Sequence, residues 1–278
     1  MLHKLKELLE RSKGGIASFN CVDLDMARGC IEAAEVAERP VIIGVATRHW
    51  SAVGGRSFVP SLRAVCEQAA VPVALHLDHA KPSQIAIIEE ALEEGFTSIM
   101  IDGSTLPYHE NVAVTKRVVA MSEKLDASVE AELGPIIGDE GLAAHVDASQ
   151  VSKYTDPNEA SRFCAETGVD ALAVAVGTAH GLYKDEPKLR MDLISQIAAG
   201  VPVPLVLHGA TGVPEDAIRE SVRRGVRKIN YFSGLLVAAM EVTRTIADPT
   251  DTDYLALRLR LRKRWQEIAI QLITLYAG

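Results

Sequence analysis

Residues 71–80 read VPVALHLDHA. The run is continuously apolar rather than alternating, the pattern of a parallel strand buried on both faces. It ends in His76, Asp78 and His79, a polar cluster that is costly to bury without partners. Strand-like runs of the same kind recur along the chain, at 16–19, 41–45, 98–101, 128–133, 171–176, 205–208 and 227–230, which with 73–77 makes eight. The segments between them, such as LDMARGCIEAAEVAE (24–38) and SQIAIIEEALEEG (83–95), carry the apolar spacing of amphipathic helices. Eight strand–helix units predict an α/β fold in which parallel strands close into a (β/α)8 TIM barrel. A doubly wound open sheet is the rival, but no glycine-rich dinucleotide fingerprint follows the first strand. Residues 2–13 read as an extra amphipathic helix at the barrel's bottom, and 253–276 as a terminal helix. No linker or low-complexity segment interrupts the pattern, so residues 1–278 are expected to form one domain.

Composition narrows the function. The chain has 278 residues, 48% of them hydrophobic, enough for one large core. Lys and Arg number 29 against 37 Asp and Glu, a formal charge of −8. With no basic stripe, nucleic acid is not an expected partner. An anionic substrate would need local positive charge to overcome the overall field. Cys21, Cys30, Cys66 and Cys164 are scattered, with no Cys-x-x-Cys pair, which argues against a disulfide framework and a thiolate zinc site. The first residues lack an apolar signal core and no run is long enough to span a membrane, so a cytoplasmic protein is expected.

In such a barrel, functional groups sit at the C-terminal ends of strands. The third run ends in Asp78 and His79, the fourth in Asp102, and the fifth carries Glu130 and Glu132. His180 follows the sixth, His208 ends the seventh and Asn230 the eighth. Three histidines from three strand ends suit a divalent metal such as zinc, with one position left open. A lone strand-end histidine is more often simply hydrogen-bonded; the coincidence of three shifts that balance. His76, two residues before Asp78, shares its face one layer deeper and is read as steering a neighbour. The glycines of GTAHG and HGATG, with Thr211, let backbone N–H groups approach an anion, and the helix opening after KINYFSG offers an N-terminus to a phosphate.

These residues resemble the class II, metal-dependent ketose-bisphosphate aldolases, in particular their fructose- and tagatose-bisphosphate branch. The resemblance rests on ALHLDHA, IMIDGSTLPYHENVAVTK, SVEAELG, DALAVAVGTAHGLY, PLVLHGATGVP and KIN, in that order along nearly the whole chain. It implies cleavage of a phosphorylated ketose between C3 and C4, giving dihydroxyacetone phosphate and an aldehyde through a zinc-stabilised enediolate. It implies that His79, His180 and His208 hold the zinc, with Glu132 in reach and Asp102 nearby. Asp78 would be the acid/base at the C4 hydroxyl, and Glu140, in the loop after the fifth strand, would carry the proton at the enediolate carbon. Asn230 would contact the three-carbon half, while Gly181, Gly209, Thr211 and Ser233 hold its phosphate. A second divalent ion and a monovalent cation, Na+ or K+, are further expectations, as is a homodimer or homotetramer.

Some positions depart from the family's pattern. Ala46 stands where a serine often helps hold the far end of the substrate. Asn230 is followed by Tyr231, Phe232, Ser233 and Gly234 rather than by the usual polar residues, and PIIGDEG replaces a glycine pair after the fifth strand. The expectation is an intact metal centre with a remodelled distal pocket, in which Arg48 and His49 supply an anion contact or Trp50 covers an uncharged chain. Three alternatives remain at this point. A Schiff-base route would use Lys228 but leaves the rim histidines without a role. A metal-dependent hydrolase on the same barrel usually shows His-x-His on its first strand, which SFNC lacks. A non-catalytic sugar-phosphate binder would have no need of Asp78 and Glu140.

Overall fold

The computed structural model describes residues 2–138, 145–147, 151, 153–245 and 253–278. Eight parallel strands close into a barrel: β1 (Ile16–Asn20), β2 (Val41–Ala46), β3 (Val73–Ala80), β4 (Ser98–Ile101), β5 (Ser128–Leu133), β6 (Ala171–Val174), β7 (Leu205–Leu207) and β8 (Val226–Tyr231). Each neighbours the next in sequence, and β1 pairs with β8 through Ser18↔Asn230 to close the ring. The expected (β/α)8 barrel is the observed fold.

Among the described residues, ten α-helices accompany the strands: α1 (Leu5–Arg11), α2 (Leu24–Ala37), α3 (Val59–Glu67), α4 (Ile85–Glu93), α5 (Tyr108–Ser122), α6 (Pro157–Thr167), α7 (Met191–Gly200), α8 (Glu215–Arg223), α9 (Ser233–Arg244) and α10 (Tyr254–Ala277). Local chemistry marks several ends. The Asp23 carboxylate accepts from the Met26 amide to start α2. Asp156 accepts from Asn158 and Glu159 to start α6, whose first residue is Pro157. Such caps satisfy amides that have no partner within the helix.

Two packing zones set the site's position. The outward faces of the strands pack on the helices as the main core. Inside the barrel, Ile16, Ile42, Ala74, Met100, Ala171, Ala173 and Val206 form a separate apolar floor, sealed from below by Leu5, Leu8 and Leu9 of α1. The anticipated N-terminal helix therefore plugs the bottom and leaves the upper mouth for polar groups. α10 lies along α2, joined by Arg258 to Asp25 at 2.5 Å and by Arg262 to Glu32 at 3.0 Å. The four cysteines are free and buried, in accord with the absence of a disulfide framework. No described helix is long and apolar enough to cross a membrane.

Candidate metal centre

The polar residues inside the barrel fall into two layers because alternate strand residues share a face. The deeper layer holds His76 of β3, Glu130 of β5 and Lys228 of β8. The upper layer holds Asp78, Glu132 and Asn230, two residues further along the same strands. All six are buried.

Alternation alone would send His79 outward, opposite Asp78. A bulge prevents this. β3 pairs with β4 through Leu77↔Ile99 and then Ala80↔Ile101, so two residues of β3 face one of β4. His79 takes φ 51°, a left-handed conformation that costs a non-glycine residue roughly 1–2 kcal/mol. The Thr47 hydroxyl holds this turn by donating to the His79 carbonyl at 2.7 Å. Asp78 and His79 thereby both reach the barrel mouth.

His180 and His208 arrive from loops that follow β6 and β7. The His180 amide donates to the Ile137 carbonyl at 2.8 Å, tying its loop to the one after β5. Gly209, beside His208, has φ 67°, and a Cβ there would stand 2.2 Å from the Ala179 carbonyl oxygen, so only glycine lets the loops meet this closely. The Tyr183 hydroxyl joins them. It accepts from the Ala179 amide at 2.7 Å and shares its proton between the carbonyls of Ala179 and Gly209, at 2.9 and 2.8 Å. This phenol had no place in the reading of the sequence.

The result is a triangle of imidazoles. His79, His180 and His208 each present a nitrogen, and these atoms lie within 4.8 Å of one another. His79 Nδ1 is 3.3 Å from Asp102, which also receives Lys81 and the Ser104 hydroxyl at 2.7 Å. His208 Nε2 is 2.8 Å from Glu130. Carboxylates that take one ring N–H in this way fix a histidine's tautomer and leave the other nitrogen for a metal. Burial pushes the His208 pKa down to about 4, and repulsion from His79 adds to it. Burial and then the other two imidazoles hold His180 well below the usual histidine range. Neutral imidazoles gathered this closely are the donor set a zinc ion requires.

Among the described residues, two further groups of three have donor atoms spaced for a metal. His79, Asp102 and Glu132 share the upper layer. Burial, then Asp102, push the Glu132 pKa up to about 8, and its Oε2 has no hydrogen-bond partner among the described residues. The other group is His76, Asp78 and Glu130. The Lys228 ammonium already fills that space, 2.8 Å from Glu130 and 3.9 Å from Asp78.

Over residues 2–277 the chain matches the family described as fructose-bisphosphate aldolase class-II. The chain belongs to the class II aldolase family. It is 40% identical over 249 residues to a 6-phospho-5-dehydro-2-deoxy-D-gluconate aldolase of Bacillus licheniformis, covering 87% of this chain and 82% of that one. It is 40% identical over 233 residues to the D-tagatose-1,6-bisphosphate aldolase subunit GatY of Klebsiella oxytoca, covering 83% and 81%. The crystal structure of the YdjI aldolase from Escherichia coli K12 superposes with a TM-score of 0.88 at 34% identity, covering 99% of this chain and 97% of the other.

The imidazole triangle opens into a cleft of about 330 Å³ lined by Ala46, Thr47, Arg48, His79, Lys81, Gln84, Asp102, Ile136, Gly138 and His180. The departures at β2 therefore border the cleft. Those at β8 lie outside its lining. Tyr231 points away from Asn230, and its phenol occupies the space a Cβ on residue 234 would need, so Tyr231 in this place requires Gly234. Phe232 is buried with its ring edge-on to His49, at 5.3 Å between centroids. Trp50 is buried against Phe96 and does not line the cleft. Ser233 is the first residue of α9, and Gly181 has φ 113°. Thr211 lies two residues after Gly209 in the loop that follows β7. Glu140 lies outside the described residues.

Lys228, the candidate for a Schiff base, is fully buried beneath Asp78 with its ammonium committed to Glu130. Asp78 has a different set of partners. Asn20 donates to its Oδ2 at 2.7 Å, Asn230 at 3.2 Å, and His76 Nε2 lies 3.3 Å from its Oδ1. Burial alone would raise the Asp78 pKa, but His79, Lys228 and the His76 hydrogen bond outweigh it and hold the group well below the usual carboxylate range. Asn20 was missed in the sequence, although its position at the end of β1 was the available signal.

The metal-free protein is expected to lose stability as pH falls. The folded His208 value near 4 lies below the ordinary 6.5, so across that window the unfolded chain binds a proton the native state does not. The loss is about 3 kcal/mol between these values, by the usual 1.36 kcal/mol per unit. Urea unfolding of the chelated protein at pH 7 and pH 5 checks the sign. Equal midpoints at both would mean that the imidazole charges within the folded state.

Proposed function

We propose that the protein is a zinc-dependent aldolase that cleaves, or in reverse forms, the C3–C4 bond of a phosphorylated ketose, giving dihydroxyacetone phosphate and an aldehyde with an anionic far end. The observation that carries this reading is the triangle of His79, His180 and His208 beside buried Asp78. Zinc bound there supplies Lewis-acid stabilisation of the negative charge that develops on the ketone oxygen.

The protein's own groups do the rest. Asp78 takes the proton of the C4 hydroxyl as the bond breaks and returns it in the reverse direction, with Asn20 and Asn230 fixing its carboxylate. Glu140 carries the proton at the reacting carbon of the three-carbon half. Asn230 contacts that half. Gly181, Gly209, Thr211 and Ser233 bind its phosphate through backbone amides, hydroxyls and the start of α9, beside a monovalent cation, Na+ or K+. Asp102, already engaged by His79, Lys81 and Ser104, orients His79 rather than ligating. Glu132 is the carboxylate in reach of the zinc and the one to hold a second divalent ion. A single domain, a homodimer or homotetramer, and a cytoplasmic location complete the reading.

The far end of the substrate is read from the cleft. Arg48 brings positive charge there, in a chain whose formal charge is −8, while Lys81 on the same wall is paired with Asp102. Two of the relatives above are named for ketoses that end in a carboxylate and in a phosphate, and an anion of either kind is favoured by a cation at this end. A guanidinium pairs a phosphate or a carboxylate in bidentate fashion, so Arg48 suits either, and the difference lies in Ala46, which supplies no hydroxyl to a phosphate. We therefore favour a carboxylate-ended substrate of the 6-phospho-5-dehydro-2-deoxygluconate type.

A panel of this compound, fructose 1,6-bisphosphate, tagatose 1,6-bisphosphate and singly phosphorylated ketoses, assayed on zinc-loaded protein, tests the assignment. The expected order puts the carboxylate-ended ketose first. Highest efficiency on a bisphosphate would defeat it. Arg48→Ala is expected to lower kcat/KM for the preferred substrate about 10- to 100-fold, the scale of one charge-assisted contact. The loss should appear mainly in KM, and a ketose with an uncharged end should be cleaved as before.

A further inference from the structure

We propose that Glu130 and Lys228 are a positioning pair that decides which nitrogen of His208 faces the metal. The inference rests on the metal-centre reading above but concerns residues that touch neither metal nor substrate. Glu130 is fully buried and divides its two oxygens. Oε1 lies 2.8 Å from His208 Nε2, and Oε2 lies 2.8 Å from Lys228 Nζ. An ionised carboxylate can only accept, so His208 must carry its proton on Nε2. The lone pair is then on Nδ1, the nitrogen left for ligation. Asn230 Nδ2 stands 3.2 Å from that atom.

Lys228 is what turns Oε1 to its task. It is fully buried, and its other neighbours are His76 Nε2 at 3.4 Å and Asp78 Oδ1 at 3.9 Å. The ammonium has only donors and draws one acceptor of Glu130 to itself, leaving the second for the imidazole. A buried ion pair of this kind is poor evidence for stability by itself, which makes a directing role the more economical account of its presence.

Glu130→Gln separates the directing role from a structural one. A glutamine has one oxygen and one NH2 where glutamate has two oxygens. The Lys228 ammonium claims the oxygen, so the NH2 faces His208 Nε2. The imidazole must then accept there and carry its proton on Nδ1, where the metal would bind. Zinc affinity, measured by competition with a chromophoric chelator, is expected to fall about 10- to 100-fold, the usual effect of losing such a partner. Adding Lys228→Met removes the competing cation, and the amide oxygen returns to the His208 N–H. The double variant is therefore expected to bind zinc about tenfold more tightly than Glu130→Gln alone, although it lacks the whole ion pair.

A purely structural role predicts the opposite order, with the double variant no better than the single. That result, or wild-type affinity in Glu130→Gln, would overturn the proposal. Thermal unfolding of each variant in zinc-free form monitors folding separately. The 15N spectrum of His208 in chelated wild-type protein decides without any variant: an Nε2–H tautomer is expected, and an Nδ1–H tautomer overturns the pair's role. Wild-type protein that fails to bind zinc while showing the Nε2–H tautomer would sink the metal-centre reading and leave the positioning intact.

Discussion

Replacing His180 with alanine is expected to abolish retro-aldol activity and to lower zinc affinity by about three orders of magnitude or more, since two imidazoles cannot close a site that needs three protein ligands. His180 is the member of the triangle whose removal does least collateral damage. His79 is bound into the bulge of β3 and to Asp102, and His208 is hydrogen-bonded to buried Glu130. His180 is held chiefly by its own backbone, through the amide bond to Ile137, so the variant should fold. Metal content by atomic absorption and activity after dialysis against a chelator are the measurements. Full activity in the metal-stripped wild type, or zinc retained stoichiometrically by the variant, would remove the basis of the proposed mechanism.

Asp78→Asn should behave differently. Asn20 and Asn230 both donate to Oδ2, and an amide oxygen can accept those bonds in place of the carboxylate. The variant should therefore bind zinc and substrate. It cannot take the C4 hydroxyl proton, and the loss of a positioned general base costs about 10²–10⁴ in kcat. The effect should sit almost wholly in kcat, with KM changed by no more than about threefold. Exchange of the C3 proton of dihydroxyacetone phosphate with solvent, which requires the other acid/base group, should survive. If exchange and cleavage fall together, Asp78 is arranging the site rather than moving the C4 proton.

Much of the architecture was legible because strand burial and helix amphipathicity are local patterns. The eight anticipated runs match the eight barrel strands to within a few residues, and the main exception is informative. The strand core of the third run was expected over 73–77 with Asp78 and His79 at its end, yet β3 continues through both to Ala80. A bulge with a left-handed histidine depends on how β4 pairs and on the Thr47 hydroxyl, neither of which has a mark in the sequence around residue 79. The rim histidines were identifiable by their place after strands, but their spacing is a product of barrel closure. The deeper layer was partly readable. Period-two counting puts His76, Glu130 and Lys228 on inward faces, and a lysine among inward acids already implies an ion pair. Lys228 was instead weighed as a nucleophile, since its depth relative to Asp78 comes from register between β1 and β8. The bearing of the β8 departures on the cleft was not legible for a simpler reason. Tyr231 follows an inward Asn230 and so faces out, where its phenol fills the space left by Gly234.

The Tyr183 hydroxyl bears on more than local geometry. One oxygen atom bolts together the carbonyl of Ala179, just before His180, and the carbonyl of Gly209, the residue after His208. The two segments that carry these rings are thereby linked directly to each other and not only through the strands below them. A triangle of imidazoles assembled from separate strand ends at one mouth of the barrel is thus braced by a side chain that belongs to none of the three.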